Sequence, residues 1–379
     1  MKVVVVLGTR PEIIRLSCVI ERLDRLCELH FVHTGQNFDP ALSDVFFEEL
    51  GVREPNRHLG VTGDRFAARV GRILDEMQGV LEEEQPDRVL VLGDTDSAMS
   101  AYVAKRMGIP VIHMEAGNRC FDDRVPEEVN RRLIDQASDV LLPYTHGSRR
   151  NLLREGFHPV QILVTGNPIK EVLDRHQGSI GASSIAAHLG IEPGRYLVLT
   201  LHRQETTDVG DRLRSLVEEV GDAARELDLP VVFSVHPRTR ERLEGWGLDD
   251  ADGPFILSAP FGYFDFVALM RDARCVLTDS GTVQEECCIM GVPALTTRDA
   301  TERPETIECG SNALTGVRVG GVRRGLEWAL GSPRDWDPPR EYLAGEVSAT
   351  VAAIVTGQLP APVRPGRNAI RAPHVPDAL

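Results

Sequence analysis

The chain has 379 residues, with 42 Lys and Arg against 57 Asp and Glu and a formal net charge of −15 at neutral pH. That length holds two ordinary domains with substantial cores. So acidic a balance argues against nucleic acid or an anionic membrane as the main partner, yet leaves room for a local basic pocket that takes a small anion.

The first residues, MKVVVVLGTRPE, contain an apolar run too short for a signal peptide or a membrane span. The β-branched run at 3–7 reads as a buried parallel strand, and residues 12–26 carry Ile13, Leu16, Ile20 and Leu23 at helical spacing. Between them lies GTRPE, in which Gly8 permits a tight turn, Arg10 can hold phosphate and Pro11 suits a first helical turn. Strand-like runs recur at 29–35, 88–94, 110–116, 139–145 and 160–166, most of them followed by helical stretches. This alternation predicts a doubly wound α/β sheet. The pattern loosens through the Gly- and Ser-rich 175–195 and restarts with runs at 196–203, 230–237, 254–260, 275–281 and 292–297. The expected organisation is a Rossmann-like domain over 1–170, a second over 171–357 and a Pro-rich tail over 358–379. The seven cysteines form no C-x-x-C pair and read as reduced, mostly buried thiols.

Ligands of open α/β sheets sit at the carboxyl ends of the strands. There the sequence sets Asp94 and Asp96 after one strand and Glu115 after the next, at the head of HMEAGNRCFDDRVPEEVNRR (113–132). That stretch mixes Glu115, Asp122, Asp123, Glu127 and Glu128 with Arg119, Arg124, Arg131 and Arg132. Arg131, four positions past Glu127, shares its helix face. In the second half His202 and Arg203 follow one strand and His236 the next. LTDSGTVQEE should leave a strand and open a helix, with the N–H groups of Ser280, Gly281 and Thr282 aimed at an anion such as a diphosphate. Glu286, one to two turns along, can reach ribose hydroxyls.

Taken in order, GTRPE (8–12), GDT (93–95), EAG (115–117), PEEVNRR (126–132), TGN (165–167), HRQE (202–205), DSGTVQEE (279–286) and TERPE (301–305) resemble the non-hydrolysing UDP-N-acetylglucosamine 2-epimerases over residues 3–317. The resemblance implies a GT-B-like fold with the active site in the interdomain cleft. It also implies interconversion of UDP-GlcNAc and UDP-ManNAc without redox cofactor or metal. UDP leaves by elimination to 2-acetamidoglucal and then re-adds. By resemblance Asp94, Glu115 and Glu127 line the sugar site, and His202 is counted with them as catalytic. Arg10, His202, Ser280 and Gly281 bind diphosphate, Glu286 holds ribose, Phe266 lies against uracil and Arg303 completes the anion pocket. Arg15, Arg131, Arg203, His236 and Thr282 complete the expected substrate contacts. Arg119, Asp122, Asp123 and Glu128 are expected to be loop and helix-surface charges. A UDP-sugar substrate, a homodimer and a cytoplasmic location are expected.

Three departures stand out. Arg15 takes the place of the family's usual lysine after GTRPE, Thr282 that of a second glycine, and the Gln-His pair that helps form an activating second site is absent from 35–51. GQN, EAGNRCFD and VPEEVNRR look more like a sub-group acting on modified sugars such as UDP-2,3-diacetamido-uronic acids or UDP-6-deoxy-hexosamines. A GT-B glycosyltransferase and a hydrolysing epimerase that releases ManNAc remain as alternatives.

Overall fold

The protein was analysed as a computed structural model that describes residues 1–36, 40–63, 65–203, 210–235, 237–247, 253–316 and 320–359. The chain divides into two compact units, one of Met1–Glu171 together with the chain from Ala344, the other Val172–Leu343.

The first unit alternates β1 Lys2–Leu7, α1 Arg10–Leu26, β2 Glu28–His33, α2 Pro40–Leu50, β3 Arg57–His58, α3 Phe66–Glu84, β4 Arg88–Leu92, α4 Ser100–Arg106, β5 Val111–Met114, α5 Pro126–Gln136, β6 Val140–Leu142 and α6 His146–Arg154. Helix α7, Ile169–Arg175, carries the chain onward. The second unit contains α8 Gln177–Gly181, α9 Ile185–His188, β7 Leu197–Thr200, α10 Gly210–Leu227, β8 Val231–Ser234, α11 Pro237–Gly245, β9 Phe255–Ser258 and α12 Tyr263–Arg271. It continues through β10 Cys275–Thr278, α13 Gly281–Met290, β11 Ala294–Thr296, α14 Pro304–Glu308, β12 Asn312–Leu314 and α15 Gly321–Gly331. Helix α16, Val347–Thr356, rejoins the first unit.

Each unit holds a six-stranded sheet, in the orders β3-β2-β1-β4-β5-β6 and β12-β11-β10-β7-β8-β9, and the paired strands run parallel. Both faces of such a sheet are covered by helices, so its central strands are apolar without alternation. Val3 through Leu7 are all fully buried. Val4 and Val6 pack with Ile73, Met77 and Ala101 from the helices on one face. In the second unit Leu197, Leu199, Phe233 and Leu277 pack with Leu213, Val217 and Leu326. The strand order reverses between β1 and β4 and again between β7 and β10. These are the switch points where a crevice opens beyond the strand ends. The register keeps those ends level, with Leu92 opposite Met114, Met114 opposite Leu142 and Thr200 opposite Thr278.

Three expectations change. The strand expected at 160–166 shrinks to a single bridge between Leu141 and Ile162. The Leu163 and Thr165 amides still reach Leu141 O and Pro143 O, but Pro143 has no N–H to answer and the ladder stops. The loosened 175–195 contains α8 and α9, with the Ser183 hydroxyl donating to Asp265 at 2.6 Å. The second unit ends at Leu343 rather than 357, because α16 is tied to first-unit groups. Ser348 accepts from Arg22 at 3.0 Å and donates its amide to Glu171 at 2.8 Å, and Arg88 donates to the carbonyls of Ile354, Val355 and Gly357. The tail from 360 lies outside the described residues.

Candidate active site

The turn after β1 is built by its neighbours. A Cβ on Gly8 would collide with the hydroxyls of Ser97 and Thr34, so glycine is needed here for close approach. Helix α1 starts at Arg10 because Glu12, three residues past Thr9, reaches back to accept the Thr9 amide at 2.8 Å. The same buried carboxyl accepts the Gly8 amide at 2.9 Å, the Thr9 hydroxyl at 2.8 Å and the Thr95 hydroxyl at 2.9 Å. Burial pushes Glu12 up to about 7, against the pull of those donors. Sequence reading passed over Glu12, although T-x-x-E ahead of an apolar run was the signal for it. Arg10 is half-buried, its guanidinium 5.7 Å from the centre of the Phe46 ring.

On the next two strands, Asp94 and Glu115 leave the ends of β4 and β5, each with an arginine. Arg131 donates through two nitrogens to Asp94 Oδ2, and Arg15 pairs with Glu115 Oε2. Asn118 donates to the other Glu115 oxygen at 3.2 Å. Arg15 and Glu115 have side chains only 5 % exposed, and the Arg15 guanidinium lies 5.9 Å from the centre of the Tyr144 ring. A planar group can pair and stack at once, which gives the departure from lysine a physical use. Glu115 has φ +66°, a left-handed backbone that is uncommon outside glycine and costs energy. Its amide is held by Leu142 O at 3.0 Å. The turn re-aims the side chain, so that a Cβ placed on Gly93 would lie 3.9 Å from Glu115 Oε2. Glu127, half-buried in the first turn of α5, has one carboxylate oxygen closed off from solvent.

Two charges expected at the surface are buried. Arg119 donates to Asn118 O at 2.7 Å, to Asp135 at 2.6 Å and to both oxygens of Glu155. Glu128 is fully buried and accepts the Cys120 and Phe121 amides at 3.0 and 3.2 Å, folding the loop back on the helix. Burial alone would raise this carboxyl, but the Cys120 amide and Arg131 outweigh it and hold it below the ordinary value. Arg131 pairs with Glu128 at 2.6 Å as well as with Asp94. Asp123 is exposed and Asp122 partly so, as expected. The Asp96 side chain pairs with Arg69 at 2.6 Å.

The second unit gathers its groups at the β7/β10 switch point. Asp279 is fully buried and accepts the His202 and Arg203 amides at 3.0 and 2.9 Å, and its other oxygen lies 3.0 Å from His202 Nδ1. His202 itself is half exposed. Arg203 returns a bond from Nε to Asp279 O at 3.1 Å. Sequence reading took Asp279 only as the start of a helix; here it orients the loop after β7. Helix α13 then begins at Gly281, where a Cβ would come within 2.8 Å of Glu302 Oε1 and 3.4 Å of an Arg303 nitrogen. Ser280, Gly281 and Thr282 form the N-terminal turn with Arg303 beside it. Arg303 also pairs with Glu285, and Arg298 with Glu302 at 3.0 Å, carboxylates that the sequence did not single out. Glu286 is buried and accepts the Tyr263 hydroxyl at 3.1 Å. Phe266 is half-buried on α12. His236 lies outside the described residues.

Chemically, the first unit offers carboxylates of differing exposure among fixed arginines, suited to moving protons. The second offers a helix N-terminus with cations, suited to a diphosphate. Among the described residues no group of three or more His, Cys, Asp or Glu is arranged to hold a metal ion, and no helix is long and apolar enough to cross a membrane.

The chain is similar to known proteins over most of its length. Residues 21–356 match the family model described as UDP-N-acetylglucosamine 2-epimerase. A UDP-N-acetylglucosamine 2-epimerase of Methanocaldococcus jannaschii is 39% identical over 364 residues, 94% of this chain and 99% of that one. A UDP-2,3-diacetamido-2,3-dideoxy-D-glucuronate 2-epimerase of Pseudomonas aeruginosa is 36% identical over 359 residues, 93% of this chain and 98% of that one. The crystal structure of the M. jannaschii enzyme in complex with UDP-GlcNAc and UDP superposes with a TM-score of 0.88 at 38% identity, covering 94% of this chain and 99% of that one.

Proposed function

Because the chain belongs to the UDP-N-acetylglucosamine 2-epimerase family, enzymes of the isomerase class, we propose that it interconverts UDP-GlcNAc and UDP-ManNAc by elimination and re-addition of UDP. The observation that carries the reading is the pairing of strand-end acids with arginines in the first unit, Asp94 on Arg131 and Glu115 on Arg15. One carboxylate takes the proton from carbon 2. The bond from carbon 1 to the diphosphate breaks, its electrons leave with UDP, and a double bond forms between carbons 1 and 2. UDP then re-adds at carbon 1 while a second acid delivers a proton to the opposite face of carbon 2. Asp94, Glu115 and Glu127 are assigned to these transfers.

In the second unit His202, Ser280, Gly281 and Thr282 are assigned to the diphosphate, with Arg203 and Arg303 of that unit and Arg10 of the first adding positive charge. Glu286 is assigned to ribose and Phe266 to uracil. Departing UDP gains charge as the bond breaks, and amides at a helix N-terminus stabilise charge that develops there. The pairing of Glu115 with arginine rather than the family's lysine, together with 36% identity to the diacetamido-glucuronate enzyme, supports a second reading in which the hexosamine is modified. The protein is further proposed to act as a cytoplasmic homodimer, which sedimentation of the purified chain checks.

NMR of the purified protein with a panel of UDP-hexosamines tests the substrate. Appearance of the carbon-2 epimer still linked to UDP supports the reading. Free ManNAc with UDP as the only products would make it a hydrolase, and transfer to an acceptor would make it a glycosyltransferase.

A further inference from the structure

One cluster beneath the acids has no part in the reaction just described. His113 is the only polar residue of β5, whose other members, Val111, Ile112 and Met114, are apolar and fully buried. Its ring is also fully buried. Nε2 lies 2.8 Å from Gly93 O, and a carbonyl can only accept, so this nitrogen carries a proton. Nδ1 lies 2.8 Å from Asp135 Oδ1, so a proton lies between these two atoms. Asp135, on α5 and likewise fully buried, accepts the Gly117 amide at 3.2 Å and Arg119 at 2.6 Å with its second oxygen.

Each of these contacts ends on a segment that carries an acid. Gly93 immediately precedes Asp94, Gly117 is two residues past Glu115, and Asp135 shares α5 with Glu127. Glu115 and Gly117 both have positive φ, so this turn is unusual backbone that needs holding. A buried polar network costs desolvation that an apolar residue in the same strand would avoid, and such groups stabilise less than well-packed hydrophobes. What the network supplies instead is direction, since hydrogen bonds fix a geometry more narrowly than contact packing does.

We propose that His113 and Asp135 are positioning residues for the epimerisation, a buried clamp that sets the turns bearing Asp94 and Glu115 at a fixed separation from each other and from α5. The inference rests on the function proposed above, because it takes these acids as the ones that move the carbon-2 proton. Neither clamp residue reaches the substrate. They act on proton transfer, where a misplacement of about 1 Å costs on the order of a hundredfold in rate. Diphosphate binding, assigned to Arg10 and to groups of the second unit, is not their concern.

Asparagine at position 113 presents a donor near the place of Nδ1, and glutamine near that of Nε2. The full chain is therefore prepared as wild type, His113→Asn, His113→Gln and Asp135→Asn. Each is assayed for epimerisation of UDP-hexosamines by NMR, for UDP affinity by calorimetry, for release of free glucal and for folding by circular dichroism. The clamp predicts that folded variants lose roughly 30- to 300-fold in kcat while UDP affinity stays within about twofold. It also predicts that glucal escapes more often per turnover, because elimination and reprotonation are no longer matched. A merely structural role would lower stability without raising the glucal fraction. Folded His113→Asn and His113→Gln chains that turn over within about threefold of an active wild type overturn the clamp alone. A wild type inert toward every UDP-hexosamine removes the proposed function and the clamp with it. If all three variants fail to fold, the residues are structural and the positioning role is also overturned.

Discussion

Thr95 donates its hydroxyl to Glu12 at 2.9 Å, so the turn after β1 and the turn that follows Asp94 hang on one buried carboxyl. That carboxyl is pushed from its ordinary 4.5 up to about 7, chiefly by burial. The folded chain therefore holds the Glu12 proton more tightly than the unfolded chain does. Its contribution to stability is fully present below the unfolded value of 4.5 and is lost as pH rises through about 7. Glu12→Gln removes the titration. The stability gap between wild type and variant, read from urea unfolding, should be larger near about pH 5 than near about pH 8. A gap that widens with rising pH would contradict the assignment.

Glu115 and Glu127 should respond differently to the same substitution. Glu115→Gln should lower turnover by roughly 10²–10⁴ through loss of a proton-transfer group. It should also destabilise the fold by about 3 kcal/mol, because the buried Arg15 guanidinium loses its charged partner. Glu127→Gln, at a half-buried position in a helix's first turn, should lose turnover with a much smaller change in stability. Kinetics paired with urea melts check this, and near-normal turnover in both variants would sink the roles given to these acids.

In the second unit, Asp279 lies 3.0 Å from His202 Nδ1 and also accepts the His202 amide. The carboxylate thereby fixes the Nδ1 side of the ring. Asp279→Asn should weaken UDP by about tenfold, comparable to His202→Ala, since a buried charge-assisted bond is worth roughly 1.5–3 kcal/mol. Calorimetry with UDP alone decides. Unchanged affinity in both variants would remove His202 from the diphosphate site.

Much of this was legible in the sequence, for a physical reason. Parallel strands buried on both faces, such as 3–7 and 275–278, are short runs of apolar residues punctuated by Gly, Asp and Ser, and ligands belong at their ends. That rule puts Asp94, Glu115, His202 and Ser280 just past strand ends, and the structure sets them there, after Leu92, Met114, Thr200 and Thr278. What escaped was set by partners distant in sequence. Arg119 and Glu128 look like surface charges in a polar stretch, and partners such as Asp135, Glu155 and the Cys120 amide make them interior. The return of α16 to the first unit depends on Arg22 and Arg88, some 260 to 330 positions away, as in the separations of 266 and 326 along the chain. No local pattern encodes such a contact. The turn at Glu115 was equally hidden, because its positive φ belongs to a residue type that seldom adopts it.

The central claim is that carbon 2 loses its proton to one carboxylate and regains one from another acid. The direct measurement is epimerisation run in deuterated water, with mass spectrometry of the UDP-linked products at equilibrium. The account predicts one deuterium at carbon 2 of the product, with small amounts of UDP and glucal released. It also predicts that an Asp94→Asn chain releases more glucal per turnover than wild type. A product that is epimerised yet unlabelled at carbon 2 would mean that the hydrogen never exchanged with solvent, and it would contradict the elimination and the roles of Asp94, Glu115 and Glu127 together.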